Sequence, residues 1–244
     1  MSRWKAGAIH FGISVIIFLL LLSIILLVWY PGILFSIDGG WTGLRLVMGV
    51  DLVLGPLLTL IVFKAGKPGL KFDLSCIATA QIACMAAGMW IVYQERPIAL
   101  VLAYDTIYSV VRQDFEDYEK DLSILDDFSG SYPKLIYIEL PESDTAASIA
   151  YVRSQFIGDP LYIQTDKYRA IQSGEEDLSN VFRWEEDVRN VVSQELIDQL
   201  DDNCHFSKFI SGVTSGYVCI DQSRGTLSSF FELEYSAADP GQDL

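Results

Sequence analysis

The chain has 244 residues, a formal net charge of −15 and a 51% share of hydrophobic residues, and its charge is not evenly spread. Residues 1–96 hold seven Lys/Arg and four Asp/Glu, a net of +3, whereas residues 97–244 hold ten and twenty-eight, a net of −18. An exposed surface that acidic repels phosphate, which excludes nucleic acid as a partner. The later part is long enough to build one core of its own.

Three apolar segments crowd the first 93 residues. The first, Phe11–Trp29, is almost wholly Ile, Leu, Val and Phe, and about 20 such residues cross the hydrocarbon of a bilayer. Trp29-Tyr30-Pro31-Gly32 follows it, an aromatic interface anchor and a turn rather than a small-residue cleavage site, so a retained span is expected. The second is Trp41–Phe63 and the third Leu74–Tyr93. Arg3 and Lys5 precede the first, and Lys64, Lys67 and Lys71 link the second to the third. Positive loops stay cytoplasmic, which puts the amino terminus inside and the acidic part outside. The expected architecture is three transmembrane α-helices followed by a periplasmic α+β domain. Its bounds are 1–96 for the membrane domain, 97–235 for the soluble one and 236–244 for a flexible tail.

Charge at membrane depth is costly and marks function by default. Arg45 and Asp51 are the two charges inside the second segment, and on an α-helix they point about 120° apart. Asp51 either meets a polar group such as Gln81 within the protein, or one of the two charges receives a polar group from a partner's helix. Pro56 has no N–H for the carbonyl of Leu52, so a kink is expected there. In the third segment Cys76, Ala80, Cys84 and Gly88 recur every four residues, with Ser75, Thr79, Ala83 and Ala87 alongside. Two small-residue ridges let another helix approach closely. That helix is one of the chain's own spans or a foreign one.

The acidic part alternates strand-like and helix-like stretches. Ile98–Ala103, Ile107–Val111 and Lys134–Leu140 read as strands, and Leu161–Gln164 as a short one. Asp114–Leu125 and Ser143–Phe156 have helical character, and Leu178–Leu200 includes an amphipathic helix with Val188, Val191, Val192 and Leu196 on one face. Gly216–Ile220 and Thr226–Tyr235 read as a hairpin across Ser223-Arg224-Gly225. Cys204 and Cys219 would form a bridge in an oxidising compartment, or stay as two buried thiols. No nucleophile motif, phosphate loop or metal-ligand cluster is present. His205 reads as a satisfied polar residue, and Glu175-Glu176-Asp177 and Glu185-Glu186-Asp187 as solvated acidic faces. No enzyme activity, metal or cofactor is expected.

Several stretches carry a resemblance. MSRWKA, WYPG, GGWTGLRLVMGVDLVLGPLLTLIVF, KFDLS and VYQERPIALV together resemble the TfpX/TfpZ accessory proteins of type IV pilins, chiefly over residues 1–112. The run GLRLVMGVDLVLGPLLTL, which carries Arg45 and Asp51, is its specific part. The resemblance implies a chaperone-like inner-membrane protein of a Gram-negative bacterium that binds its cognate major pilin and supports pilus assembly. Membrane lipid and other pilus assembly proteins are the further partners. It brings no catalytic residues with it. On this reading Arg45, Asp51, Cys76, Ala80, Cys84 and Gly88 form the partner-binding set, with Arg45 meeting the carboxylate near the start of the pilin's apolar helix. A competing reading is a membrane-tethered periplasmic sensor that signals through a membrane partner.

Overall fold

In the computed structural model the described residues are 2–171, 180–198, 200, 204–221 and 226–232. The chain divides into two compact units, Met1–Leu100 with Val110–Lys134, and Val101–Ser109 with Leu135–Leu244.

The first unit is mainly helical. Helix α1, Arg3–Ile24, starts at Ser2, whose side chain accepts from the Lys5 N–H, and runs on into a π turn, Ile25–Trp29. A short helix, α2, spans Leu34–Ile37. The middle apolar segment is helical from end to end but in three pieces: α3, Gly40–Met48; a π turn, Gly49–Leu54; and α4, Gly55–Val62. The π turn contains Leu52, the residue whose carbonyl Pro56 leaves without a donor. Pro56 sits in the first turn of α4, where a missing N–H costs least. Helix α5, Leu70–Gln94, follows a left-handed Gly69.

Two runs, Arg3–Trp29 and Leu70–Gln94, are long and apolar enough to cross a membrane, and the middle segment contributes a shorter apolar helix, Asp51–Val62. Only 11% of the most apolar window of either long run is buried within the protein. A core helix of a soluble domain is mostly covered by its own fold, so neither is explained that way.

The second unit is α+β and holds all but the end residues Ala99, Leu100, Val110 and Lys134 of one sheet. Strands β1 (Ala99–Ala103), β2 (Thr106–Val110), β3 (Lys134–Ile138), β4 (Tyr168–Ala170), β5 (Cys204–Ile210), β6 (Ser215–Asp221) and β7 (Thr226–Glu232) form one sheet in the order β4-β3-β1-β2-β5-β6-β7. Strand β2 pairs parallel with β5, while β3–β4, β5–β6 and β6–β7 are antiparallel. The tight turn between β1 and β2 places Tyr104 at φ +64°. Ile107, Ile136, Phe206 and Phe209 are fully buried along the sheet.

Four expectations need correction. Asp114–Leu125 is not one helix: α6 covers Arg112–Asp117, Glu119 turns left-handed at φ +52°, and a 3-10 stretch takes Leu122–Asp127. Leu161–Ile163 is a 3-10 turn, not a strand, because a short apolar run after a proline has no periodicity to separate the two. The helix expected within 178–200 is two short ones, α8 (Glu185–Asn190) and α9 (Gln194–Ile197). Val188 is buried and Val192 and Leu196 pack with it, but Val191 is 68% exposed. Strand β5 was not expected at all. Helix α7, Asp144–Ser154, begins after Ser143 as expected, although Ser143 makes no capping hydrogen bond. The β6–β7 hairpin is present, and its turn at 223–225 and the tail 236–244 lie outside the described residues.

Candidate functional site

In the helical unit the two charges of the middle segment go different ways. Arg45, on α3, is exposed and makes no hydrogen bond or ion pair among the described residues. Asp51, in the π turn, is 2% exposed. A π turn advances each residue by a smaller angle than an α-helix does, which widens their separation beyond the α-helical value. The pair thus points to nearly opposite sides.

Asp51 is held by neutral groups. Its Oδ1 accepts from the Ser14 hydroxyl at 3.1 Å and from the Gln81 side-chain amide, which also reaches the Asp51 backbone carbonyl at 3.3 Å. Its Oδ2 is buried without a hydrogen-bond partner. Gln81 continues the chain of contacts through Oε1, 3.0 Å from His10 Nε2, and His10 Nδ1 lies 2.6 Å from the Thr59 hydroxyl. With Nε2–H donating to Gln81, Nδ1 is free to accept the Thr59 hydrogen. Five polar side chains from α1, the middle segment and α5 so form one internal clasp.

Small residues make the clasp possible. A Cβ on Gly55 would run into the Gln81 amide, and one on Gly7 would come within 3.2 Å of Leu60 Cδ1. Further along, a Cβ on Gly43 would collide with Val92. These glycines let the segments approach closely, as small residues do between helices in lipid.

Helix α5 turns Ile77, Gln81, Met85, Gly88 and Val92 toward the other helices, each of them buried or half-buried. Cys76, Ala80 and Cys84 are exposed, as are Ser75, Thr79, Ala83 and Ala87. Of the small-residue ridges only Gly88 packs within the unit. Of the six residues expected to meet a partner, Arg45, Cys76, Ala80 and Cys84 face outward, whereas Asp51 and Gly88 face in. His10, Ser14 and Thr59 were missed. The available signal was the four-residue spacing of His10 and Ser14, two polar groups on one face of an apolar run.

The α+β unit has a separate charged network. A disulfide joins Cys204 to Cys219 across β5 and β6, with Cα atoms 5.3 Å apart. Beside it Glu185 accepts from Arg189 at 2.6 and 2.8 Å and lies 2.9 Å from His205 Nδ1, while Arg189 also donates to the Cys204 carbonyl at 3.0 Å. Burial pushes the Glu185 carboxyl up, but the His205, Phe206 and Arg189 hydrogen bonds outweigh it and hold the group below its ordinary value. Glu185 is therefore not part of a solvated face, as its acidic run suggested. The run 175–177 lies outside the described residues. His205 stacks flat on Phe182 at 4.4 Å. Among the described residues no group of His, Cys, Asp and Glu is arranged to hold a metal ion.

No family model matches the chain, and no solved structure does. Among characterised proteins it is similar to three fimbrial assembly proteins of Dichelobacter nodosus. It is 37% identical over 106 residues, 42% of this chain, to those of serogroup E1, serogroup I, and serogroups C1 and C2. The chain spans 41% of the length of the E1 and I proteins and 80% of the C1 and C2 protein. With four fifths of that last relative covered, this chain belongs to the fimbrial assembly protein family.

Proposed function

We propose that this chain is an inner-membrane pilin accessory protein of the TfpX/TfpZ kind, which binds its cognate major pilin and promotes pilus assembly. The observation that carries the reading is the division of labour in the helical unit. Asp51 is consumed in an internal clasp, while Arg45 and the small-residue face of α5 are turned outward and exposed among the described residues. An exposed, unpartnered arginine inside an apolar segment is costly in lipid unless it reaches the interface or meets an opposite charge. A carboxylate on a foreign apolar helix answers that need, and ridges of Ala, Ser, Thr and Cys let its backbone come close. Membership of a fimbrial assembly family supports the same partner.

The expected topology is an amino terminus in the cytoplasm and the acidic unit in the periplasm, where it contacts the pilin's globular head. The basic loop Lys64–Lys71 and the basic residues Arg3 and Lys5 ahead of the first apolar run support this orientation.

Photo-crosslinkers placed along α5 test the helix-holding step. Probes at Thr79 and Ala83 should capture pilin, and probes at Ile77 and Met85 should not. Capture through the α+β unit alone would refute it. In a deletion strain, Arg45→Ala should fail to restore surface piliation although the protein accumulates, whereas Asp51→Asn should lower the amount of the protein itself.

A further inference from the structure

A cleft of about 440 Å³ opens in the α+β unit, with Tyr104, Tyr137, Glu139, Glu142, Arg183 and Trp184 among its walls. Tyr104 is a bulky residue held at φ +64°, a conformation such side chains rarely adopt and one that proteins keep where the surroundings over-determine it. Here the surroundings are explicit. Its ring lies between Tyr151 and Trp184, at 4.7 and 4.1 Å, and its hydroxyl is 3.0 Å from that of Ser148. The wall is thus rigid before any ligand arrives.

The charges of the cleft pair off unevenly. Arg183 donates to the carbonyls of Pro141 and Glu142 at 2.8 and 2.6 Å, pairs with Asp144 at 2.5 Å, and lies 4.8 Å above the Trp184 ring. Its donors and its charge are spent on holding the β3–α7 loop. Glu139 pairs with Arg169. Glu142 is exposed, and its carboxylate has no partner among the described residues. Tyr137, unlike Tyr104 and Trp184, stacks on no other ring there. The cleft therefore offers one uncompensated negative charge and one free aromatic ring in a unit rich in acid. An anion would meet Glu139 and Glu142, and Arg183, the cation among the described lining residues, is already paired with Asp144. A cation carried on an alkyl stem fits both features, its charge on Glu142 and its stem along Tyr137.

We propose that this cleft receives a lysine or arginine side chain of a partner protein. The inference goes beyond the helix-holding role and does not require it.

Ligand-observed saturation-transfer NMR on the full chain in detergent micelles tests it, with Nα-acetyl-lysine methylamide, Nα-acetyl-arginine methylamide and the neutral norleucine equivalent as probes. The two cationic probes should bind saturably and the norleucine probe should not. Glu142→Gln, at an exposed position, should weaken cationic binding about five-fold, and Tyr137→Leu should weaken it as well. Equal binding of the norleucine probe, no binding of either cation, or no effect of Glu142→Gln would overturn the proposal. Cadaverine binding tenfold more tightly than both capped residues would make this a small-molecule site and overturn the polypeptide part.

Discussion

Asp51 in the helical unit and Glu185 in the α+β unit are both carboxylates withdrawn from water, and their surroundings differ in kind. Asp51 is 2% exposed and meets only Ser14 and Gln81, two neutral donors, with one oxygen unpartnered. Glu185, its side chain 17% exposed, meets Arg189 and His205. In the α+β unit a carboxylate is buried with the Arg189 counter-charge and a hydrogen bond to His205, and the group steadies the strand beside it through the Arg189 bond to the Cys204 carbonyl. In the helical unit a charge is buried among dipoles, in a setting where every alternative partner is also scarce. The contrast suggests two separate tolerances. The clasp should be sensitive to shape, because close approach is what delivers its neutral donors. The Glu185 network should be sensitive to pH and to the covalent staple next to it.

The staple gives the largest expected effect. Cys204 and Cys219 enclose a separation of 15 residues, and a bridge closing a loop of that size contributes about 2–4 kcal/mol. Replacing both by serine in the full chain should lower the urea midpoint of the α+β unit, read by pulse proteolysis at pH 7. An unchanged midpoint would show that the bridge carries no load there.

Shape comes next. Gly55→Ala places a methyl against the Gln81 amide, whereas a Cβ on Gly49, six residues earlier in the π turn, meets nothing within 4 Å. Overpacking costs about 1–3 kcal/mol, so Gly55→Ala should lower the melting temperature in detergent while Gly49→Ala leaves it nearly unchanged. Equal effects at both positions would remove the clasp's dependence on close approach.

Glu185→Gln tests the charged network. Hydrogen bonds to charged groups contribute about 1.5–3 kcal/mol net, and the substitution keeps one acceptor, so a loss of about 1.5 kcal/mol at pH 7 is expected. The folded carboxyl is held below its ordinary value of 4.5. Its contribution is therefore complete above that value and is lost as pH falls through the lower, folded one. The native chain should lose stability on acidification below about pH 4.5 more steeply than the glutamine variant. Lys208, raised despite burial by its bond to Asp105, acts at the other end. Its contribution is present below its ordinary value and fades as pH rises through the folded one.

How much of this was legible follows from the range of each interaction. Helices α1 and α5 could be read because composition alone marks a long apolar run. Strands β1, β2 and β3 could be read because apolar residues cluster or alternate within five positions. Strand β5 was not: in Cys204–Ile210 the buried positions include Ser207, and its partner β2 lies about a hundred residues away in parallel register. Glu119 shows the local counterpart, one left-handed residue ending a helix whose composition would have carried on. At the site, the Asp51–Gln81 contact was anticipated because both are polar residues in apolar runs. The π turn that separates Asp51 from Arg45 was not, since nothing in Gly49–Leu54 distinguishes a 4.4-residue turn from a 3.6-residue one, roughly, by composition.

That turn is what makes the smallest stability effect the most informative one. If it points Arg45 away from the bundle, then Arg45→Ala removes no contact inside the protein, and stability in detergent should change by less than about 0.5 kcal/mol. The same substitution should abolish crosslinking of pilin to Thr79 and Ala83 if the guanidinium is the outward receptor for a foreign carboxylate. Arg45→Lys keeps the charge but loses the planar, bidentate fork, so it should restore part of the capture. A large loss of stability in Arg45→Ala would mean that the arginine belongs to the bundle after all. Unchanged stability with unchanged capture would leave the small-residue face to act without it. Only the combination of an unperturbed fold and a lost partner distinguishes a charge kept for binding from one kept for folding, and Asp51→Asn, which disturbs the clasp first, supplies the opposite pattern for comparison.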